Sequence, residues 1–444
     1  MGTVSFTTLG CRLNQAESDQ MAEELATAGF GPQTDSASPD VVVINTCTVT
    51  REATKASRMA IRRSIRKHPD AKIVVVGCYA VSDRAEIEAI EGVDVILGND
   101  EKEAFLASLG AAPATAPLMQ LGFRRSSATL ETQPRVRANL KVQTGCDEWC
   151  TFCIIPKTRG PLRSMDANDL LEEARARVAS GTKEIVLTGV HIGKFTYDSG
   201  GDEKALVGLF EDLLAIEGLK RLRLSSILSR HLTEDVLAFI ASEPRFCRYL
   251  HVPLQSGDDG VLEAMHRPYR IDEYIERVER AKDLIPDAAL ATDIIVGFPT
   301  ETDAAFENTM DVVRRLQYSK LHVFRYSSRP DTAAAEMPDA VHPDVKKLRS
   351  KRLIDLGNEI RGRFLRAHLD RPLEVLVEDS RVTDGVGICS GQTGDYVRVW
   401  FEGEGLLGET CYVQGTEVRA DGIRGHLVGT TDDSDRLIAR PAGR

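Results

Sequence analysis

The residues best equipped for chemistry are three cysteines in Thr144-Gly-Cys-Asp-Glu-Trp-Cys-Thr-Phe-Cys153. They form a C-x3-C-x2-C array, Cys146, Cys150 and Cys153, with Phe152 beside the last. Three thiolates this close in sequence can converge on one soft metal centre. A tetrahedral zinc site wants four ligands, and no fourth Cys or His lies nearby in the sequence. A cubane iron–sulfur cluster can instead be held by three cysteines, leaving one iron open to a small molecule. The potential of such a cluster follows charge, hydrogen bonding and exposure. A zinc knuckle and three unrelated core thiols are the bland alternatives.

Three further cysteines occupy related places. Residues 1 to about 110 alternate apolar strands, Val4–Leu9, Val41–Asn45, Ile73–Val76 and Val93–Leu97, with helical stretches at about 14–28, 51–68, 80–90 and 100–109. That alternation predicts an open parallel sheet with helices packed on it. Cys11, Cys47 and Cys78 each lie just past one of the first three strands. In such a sheet, ligands bind outside the carboxyl ends of the strands. Parallel neighbours would bring these loops together. Cysteine is also a common small core residue, but three placements of this kind point to a second metal centre.

From 136 to about 342 strands and helices alternate six times, which suits an open (β/α)6 partial barrel. The cysteine array falls in the loop after the first strand, Asn139–Gln143, at the end where barrel active sites sit. Other strand ends offer cofactor contacts: Thr188 and Gly189 after the second, Ser226 after the third, Gln255 after the fourth, Asp293 and Gly297 at the fifth. His191 and His251 are read as structural or hydrogen-bonding histidines.

The C-x3-C-x2-C array with its aromatic resembles the signature of the radical S-adenosylmethionine (SAM) enzymes. Cys11, Cys47 and Cys78 followed by that array resemble the six-cysteine layout of the methylthiotransferases within them. The resemblance covers nearly the whole chain. It implies two [4Fe-4S] clusters, an auxiliary one on Cys11, Cys47 and Cys78 and a SAM-binding one on Cys146, Cys150 and Cys153. Phe152 would pack near the adenine of SAM. Two SAM molecules are used per turnover, and a low-potential donor such as flavodoxin or ferredoxin is implied. The strings Thr7-Thr-Leu-Gly-Cys-Arg-Leu-Asn-Gln15, Asn45-Thr-Cys-Thr-Val-Thr50 and Thr188-Gly-Val-His-Ile-Gly193 look most like the subgroup acting on N6-threonylcarbamoyladenosine (t6A) at position 37 of tRNA. Relatives acting on isopentenyladenosine or on a ribosomal-protein aspartate share the architecture. An iron–sulfur RNA-binding regulator without turnover is the alternative of another class.

The chain of 444 residues carries a formal charge of −11, so any nucleic-acid contact must come from local patches. Arg58, Arg62 and Arg66 line one face of the second helix, and Arg352 lies in a basic stretch from Lys346 to Arg371. Residues 111–135 read as linker. Residues 372–430 suggest a small five-stranded, OB-like β-barrel and resemble the RNA-binding TRAM domain, with Arg398 in its basic patch and Tyr396, Trp400 or Phe401 offered for base stacking. The tail 431–444 reads as disordered. The expected organisation is thus 1–110, the auxiliary-cluster domain; 136–368, the radical SAM domain; and 369–430, the TRAM domain. No apolar run reaches membrane-spanning length, and no signal segment opens the chain. A cytoplasmic protein is expected, where clustered cysteines read as metal-binding.

Overall fold

Val41-Val-Val-Ile44 has no polar residue to turn outward, the pattern of a strand covered on both faces. It becomes the middle of a sheet. The computed structural model describes residues 2–33, 38–110, 124–125, 130–131, 135–196, 205–338, 341–383 and 385–430. The chain divides into two compact units: Met1–Ser180 with Val186–Ile216 and Ser327–Pro338, and Gly181–Ile185 with Glu217–Tyr326 and Asp339–Arg444.

In the first unit, β1 (Thr3–Thr8), α1 (Arg12–Thr27), β2 (Gly31–Pro32), β3 (Val41–Thr46), α2 (Arg51–Lys67), β4 (Lys72–Gly77), α3 (Cys78–Ser82), α4 (Arg84–Glu88), β5 (Val95–Leu97) and α5 (Phe105–Ser108) follow in order. The strands form a parallel sheet in the order β2-β1-β3-β4-β5. Alternate residues of a strand face opposite layers. Val41, Val43, Val74 and Val76 pack with Leu25 and Phe105, while Val42, Ile44, Ile73 and Val75 pack with Ile61 and Tyr79. The helix expected over 80–90 is broken at Asp83, whose φ of −139° belongs to no helix.

The short strands β6 (Arg124–Arg125) and β7 (Leu130–Glu131) pair antiparallel. The rest of the expected linker, apart from Arg135, lies outside the described residues, as does the tail 431–444. Next come β8 (Arg137–Lys141), β9 (Gln143–Thr144), α6 (Ile155–Arg159), β10 (Arg163–Ser164), α7 (Ala167–Ala179), β11 (Glu184–Thr188) and α8 (Ala205–Leu214). The strand expected to run on to Gln143 stops at Lys141. Gln143 and Thr144 pair instead with Ser164 and Arg163, making a collar that brackets the cysteine loop.

The second unit holds β12 (Arg221–Leu224), α9 (Glu234–Ser242), β13 (Tyr249–His251), α10 (Asp259–Ala264), α11 (Ile271–Leu284), β14 (Ala289–Val296), α12 (Asp303–Leu316), β15 (Lys320–Arg325) and α13 (Pro343–Ala367). β13, β14 and β15 are parallel neighbours. The basic stretch on α13, offered for nucleic-acid contact, largely ties the helix down. Arg349 is buried against Glu301 at 2.7 Å, and Arg361 donates to the Ser319 carbonyl. The C-terminal strands β16 (Pro372–Thr383), β17 (Val386–Gln392), β18 (Arg398–Glu402), β19 (Thr410–Arg419) and β20 (Gly422–Thr430) close a barrel in the order β16-β17-β18-β20-β19. Bulges at Val377/Asp379 and Gly415/Glu417 let the long strands bend around it. Two arginines of β12 fix this barrel. Arg221 donates to Gln392 O and Glu374; Arg223 donates to Gly394 O and Thr393 O while paired with Glu184 at 2.7 Å.

Candidate metal centres and their surroundings

β1, β3 and β4 are adjacent, so the loops that follow them leave one edge of the sheet at intervals of roughly 5 Å. The loops after β1 and β3 carry Cys11 and Cys47, and Cys78 opens α3 directly after β4. The chain between Leu9 and Cys11 must fold back tightly against β3. Gly10 does this at φ +96°, and a Cβ there would stand 2.7 Å from Cys47 Cβ. Ser57 of α2 clamps Cys47 from both sides, accepting from its N–H at 3.0 Å and donating to its carbonyl at 2.8 Å. Burial pushes the Cys47 thiol up to about 11, and the neighbouring Cys78 and Cys11 thiolates add to the rise. All nine cysteines are free thiols.

The second triad sits in the collar. Gly145 stands at φ +70°, where a Cβ would lie 1.8 Å from Pro161 O, so only glycine fits. Cys153 N donates to Cys150 O at 3.0 Å, closing the turn that gathers the sulfurs. The Glu148 N–H donates to Cys146 Sγ at 3.4 Å, and His191 Nδ1 lies 3.9 Å from the same sulfur. Burial raises the Cys146 thiol, the Glu148 N–H opposing it. Gln143 straps the loop after β11 to this turn: its Oε1 accepts from His191 N at 2.7 Å and its Nε2 donates to Gly145 O at 2.8 Å. His191 thus acts as the hydrogen-bonding histidine expected, but on a cluster-loop sulfur.

Both triads belong to the first unit, and side chains join the surroundings of the first to the helix that follows the second. Asn99 Nδ2 donates to Thr158 O at 2.6 Å and lies 3.6 Å from Cys78 Sγ. Arg159, on the helix that follows the cysteine loop, donates to Asn14 Oδ1 at 2.5 Å and to Glu17 at 2.8 Å. Asn14 Oδ1 in turn accepts from Cys11 Sγ at 3.7 Å. Burial would pull the Arg159 pKa down, but the charges of Cys78, Glu17 and Cys11 hold it above its ordinary value. Asn14, Glu17, Asn99 and Arg159 were not singled out from the sequence. The one available signal was that Asn14 and Arg159 lie three and six residues beyond cysteines of the two sets.

Both donor sets fit an iron–sulfur group on the chemistry present: free soft thiols gathered by glycine-permitted turns, with N–H donors aimed at sulfur. Near the first triad, Asn45 Oδ1 and Asn99 Oδ1 are buried without a hydrogen-bond partner among the described residues.

The other expected cofactor contacts fall in both units. Phe152 is half-buried; Thr188 is buried, its carbonyl accepting from Val142 N at 2.9 Å, and Gly189 lies against Gln143. In the second unit Ser226 is half-buried at the end of β12. Gln255 takes a left-handed φ of 66° and bridges Asp293 O and Ile295 N. Gly297 has a structural reason to be glycine: a Cβ would meet Lys346 Cγ at 2.3 Å, and its N–H is taken by Glu301. Asp293 faces His251 at 3.1 Å, and the His251 and His322 rings stack at 5.4 Å, a cluster the sequence did not suggest.

Of the basic residues, Arg62 and Arg66 are exposed on α2, whereas Arg58 is engaged by Glu86 and Tyr79. Arg352 forks onto Glu307 at 2.6 and 3.1 Å, and Arg398 donates to Ser390 and stacks on Trp400. Two stacking candidates need correction. Phe401 is 2% exposed in the barrel core, because β18 alternates and its odd positions point inward. Tyr396 packs on Tyr249 at 4.7 Å beneath Arg223.

Comparison with known proteins adds a further observation. Residues 140–313 match the Radical SAM superfamily and residues 3–98 match Uncharacterized protein family UPF0004. The chain is 37% identical to threonylcarbamoyladenosine tRNA methylthiotransferase MtaB of Bacillus subtilis (strain 168), over 93% of this chain and 94% of that one. It is 34% identical to the protein of the same name from Aquifex aeolicus (strain VF5), over 85% and 94%. It is also 38% identical to tRNA-2-methylthio-N(6)-dimethylallyladenosine synthase of Acidothermus cellulolyticus, over 85% and 78%.

Proposed function

This chain belongs to the radical SAM methylthiotransferases, and on that footing we propose that it places a methylthio group on C2 of t6A at position 37 of tRNA. The observation that supports the reading is the presence of two cysteine triads within one compact unit, on a chain alignable with threonylcarbamoyladenosine relatives over nearly its whole length. Cys146, Cys150 and Cys153 would hold the SAM-binding [4Fe-4S] cluster, and Cys11, Cys47 and Cys78 an auxiliary one. When bound, these groups supply an electron to cleave SAM and a sulfur to be transferred, a second SAM giving the methyl.

The chain's own residues do the positioning. Gly145 and the Gln143 strap hold the SAM-cluster loop against the loop after β11, whose Thr188 and Gly189 we assign to SAM with Phe152. In the second unit Ser226, Gln255, Asp293 and Gly297 are the corresponding assignments. Ser57 and Gly10 hold the sulfur-donor triad. Exposed Arg62 and Arg66 lie on α2, the helix that begins four residues past Cys47, and suit tRNA phosphate; Arg58, Arg352 and Arg398 would have to exchange their present partners for it. The domain division at 110, 136, 368 and 430, a flavodoxin-like donor and a cytoplasmic location belong to the same reading. Among the described residues no helix is long and apolar enough to cross a membrane.

Nucleoside mass spectrometry of tRNA from cells with and without the gene tests the substrate. Loss of 2-methylthio-t6A is expected. Its persistence with loss of the methylthiolated dimethylallyl nucleoside would move the assignment to that relative's substrate.

A further inference from the structure

One carboxylate in the first unit is surrounded by cations. Glu17 is buried and meets Lys102 at 2.5 Å, Arg159 at 2.8 Å and Lys141 at 3.5 Å. Three cationic side chains against one anion leave a surplus of positive charge. Arg159 and Lys102 are themselves buried, at 2% and 8% exposure. Uncompensated charge in such a place is expensive to desolvate, so the surplus calls for an anion beside it. The groups that face it are the thiols of the first triad. Asn14 Oδ1 touches both Cys11 Sγ and the guanidinium, and Cys78 is linked through Asn99 to Thr158, the residue before Arg159. A cubane held by three thiolates is anionic overall, and more so when reduced.

We propose that Arg159, carried by the helix that follows the loop of the SAM-cluster triad, is the positioning residue of the auxiliary triad: its fixed charge balances the anionic centre on Cys11, Cys47 and Cys78 and keeps that centre's reduction potential up. The inference rests on the auxiliary-cluster reading above. Arginine suits the task because its fork holds Glu17 and Asn14 at once while remaining charged. Arg159 lies six residues past Cys153, at the end of α6. Glu17 is the counterweight, so charge removal at the two positions must act in opposite directions.

The test uses the full chain with Cys146, Cys150 and Cys153 changed to Ala, reconstituted anaerobically with iron and sulfide, so that the signal reports the auxiliary cluster alone. Potentiometric titration followed by electron paramagnetic resonance gives the midpoint. Arg159→Met is expected to lower it, Glu17→Gln to raise it, and Arg159→Lys to restore most of the shift, at equal iron content. Midpoints that do not move, or that move the same way in both charge-removing variants, overturn the inference. If Arg159→Met takes up no iron, the Glu17→Gln and Arg159→Lys arms decide it by the same signs. If the parent with Arg159 intact binds no cluster, the auxiliary-cluster reading itself fails, and this inference with it.

Discussion

At the scale of single residues, two positions have sharp consequences. Cys47 is buried, its backbone N–H and carbonyl clamped by Ser57. Reconstituted protein should hold about eight iron atoms with both cubanes in place, and Cys47→Ala about four. Unchanged iron in that variant would remove Cys47 from the ligand set. Gly145→Ala forces a Cβ onto Pro161 O and asks alanine to adopt φ +70°, which L side chains resist. Its iron content should also fall to about four, this time by loss of the SAM-cleaving centre, and 5′-deoxyadenosine production should stop. The placing of the first three cysteines just past strands was legible in the sequence because strand-ending residues follow a local pattern. Arg159 was not, since its partner Glu17 lies 142 positions away and no periodicity links them.

At the scale of elements, β12 is the strand that anchors the C-terminal barrel. The Arg223–Glu184 pair is fully buried, and removing one partner of such a pair typically costs about 3–5 kcal/mol. Arg223→Met should therefore lower the melting temperature markedly, whereas Arg280→Met, which breaks an exposed pair with Glu234, should hardly move it. The turn after α13 adds a pH-dependent tie, His368 Nε2 to Asp395 Oδ2 at 2.5 Å. Burial opposes charge on His368, but Asp395 raises its pKa overall; burial likewise opposes the Asp395 charge, but His368 lowers its pKa overall. The histidine's contribution is complete below its ordinary value near ~6.5 and fades as pH rises through the raised one. The aspartate's is complete above its ordinary value near ~3.9 and fades as pH falls through the lowered one. Thermal melts of Asp395→Asn against the parent should differ most between those limits and less at higher pH. A difference that grows with pH would contradict this. The longer strands and helices were legible from alternating patterns, but the collar of β9 and β10 was not. Two-residue strands carry no period, and the strap by Gln143 is a tertiary fact.

At the scale of the whole molecule, an acidic chain is asked to bind RNA through a few exposed cations. Arg62 and Arg66 are exposed on α2, as are Arg51 and Lys55. A doubly charge-reversed variant, Arg62→Glu with Arg66→Glu, should weaken tRNA binding and flatten its dependence on salt, since fewer counterions are released. Equal salt slopes for parent and variant would place the RNA elsewhere. The fold class could be read from the sequence at this scale because strand–helix alternation and glycine-broken strands are repeated many times along the chain. The stacking role offered for Phe401 failed because alternation within a closed barrel, not residue type, decides which aromatics face outward. The central claim, that one triad cleaves SAM while the other furnishes sulfur, is tested by incubating reconstituted parent and Cys47→Ala with t6A-containing tRNA, SAM and a low-potential reductant, and assaying both products in each reaction. The parent should yield 5′-deoxyadenosine and 2-methylthio-t6A, and the variant 5′-deoxyadenosine without the methylthiolated nucleoside. A variant that still methylthiolates at the parent's rate would contradict the account.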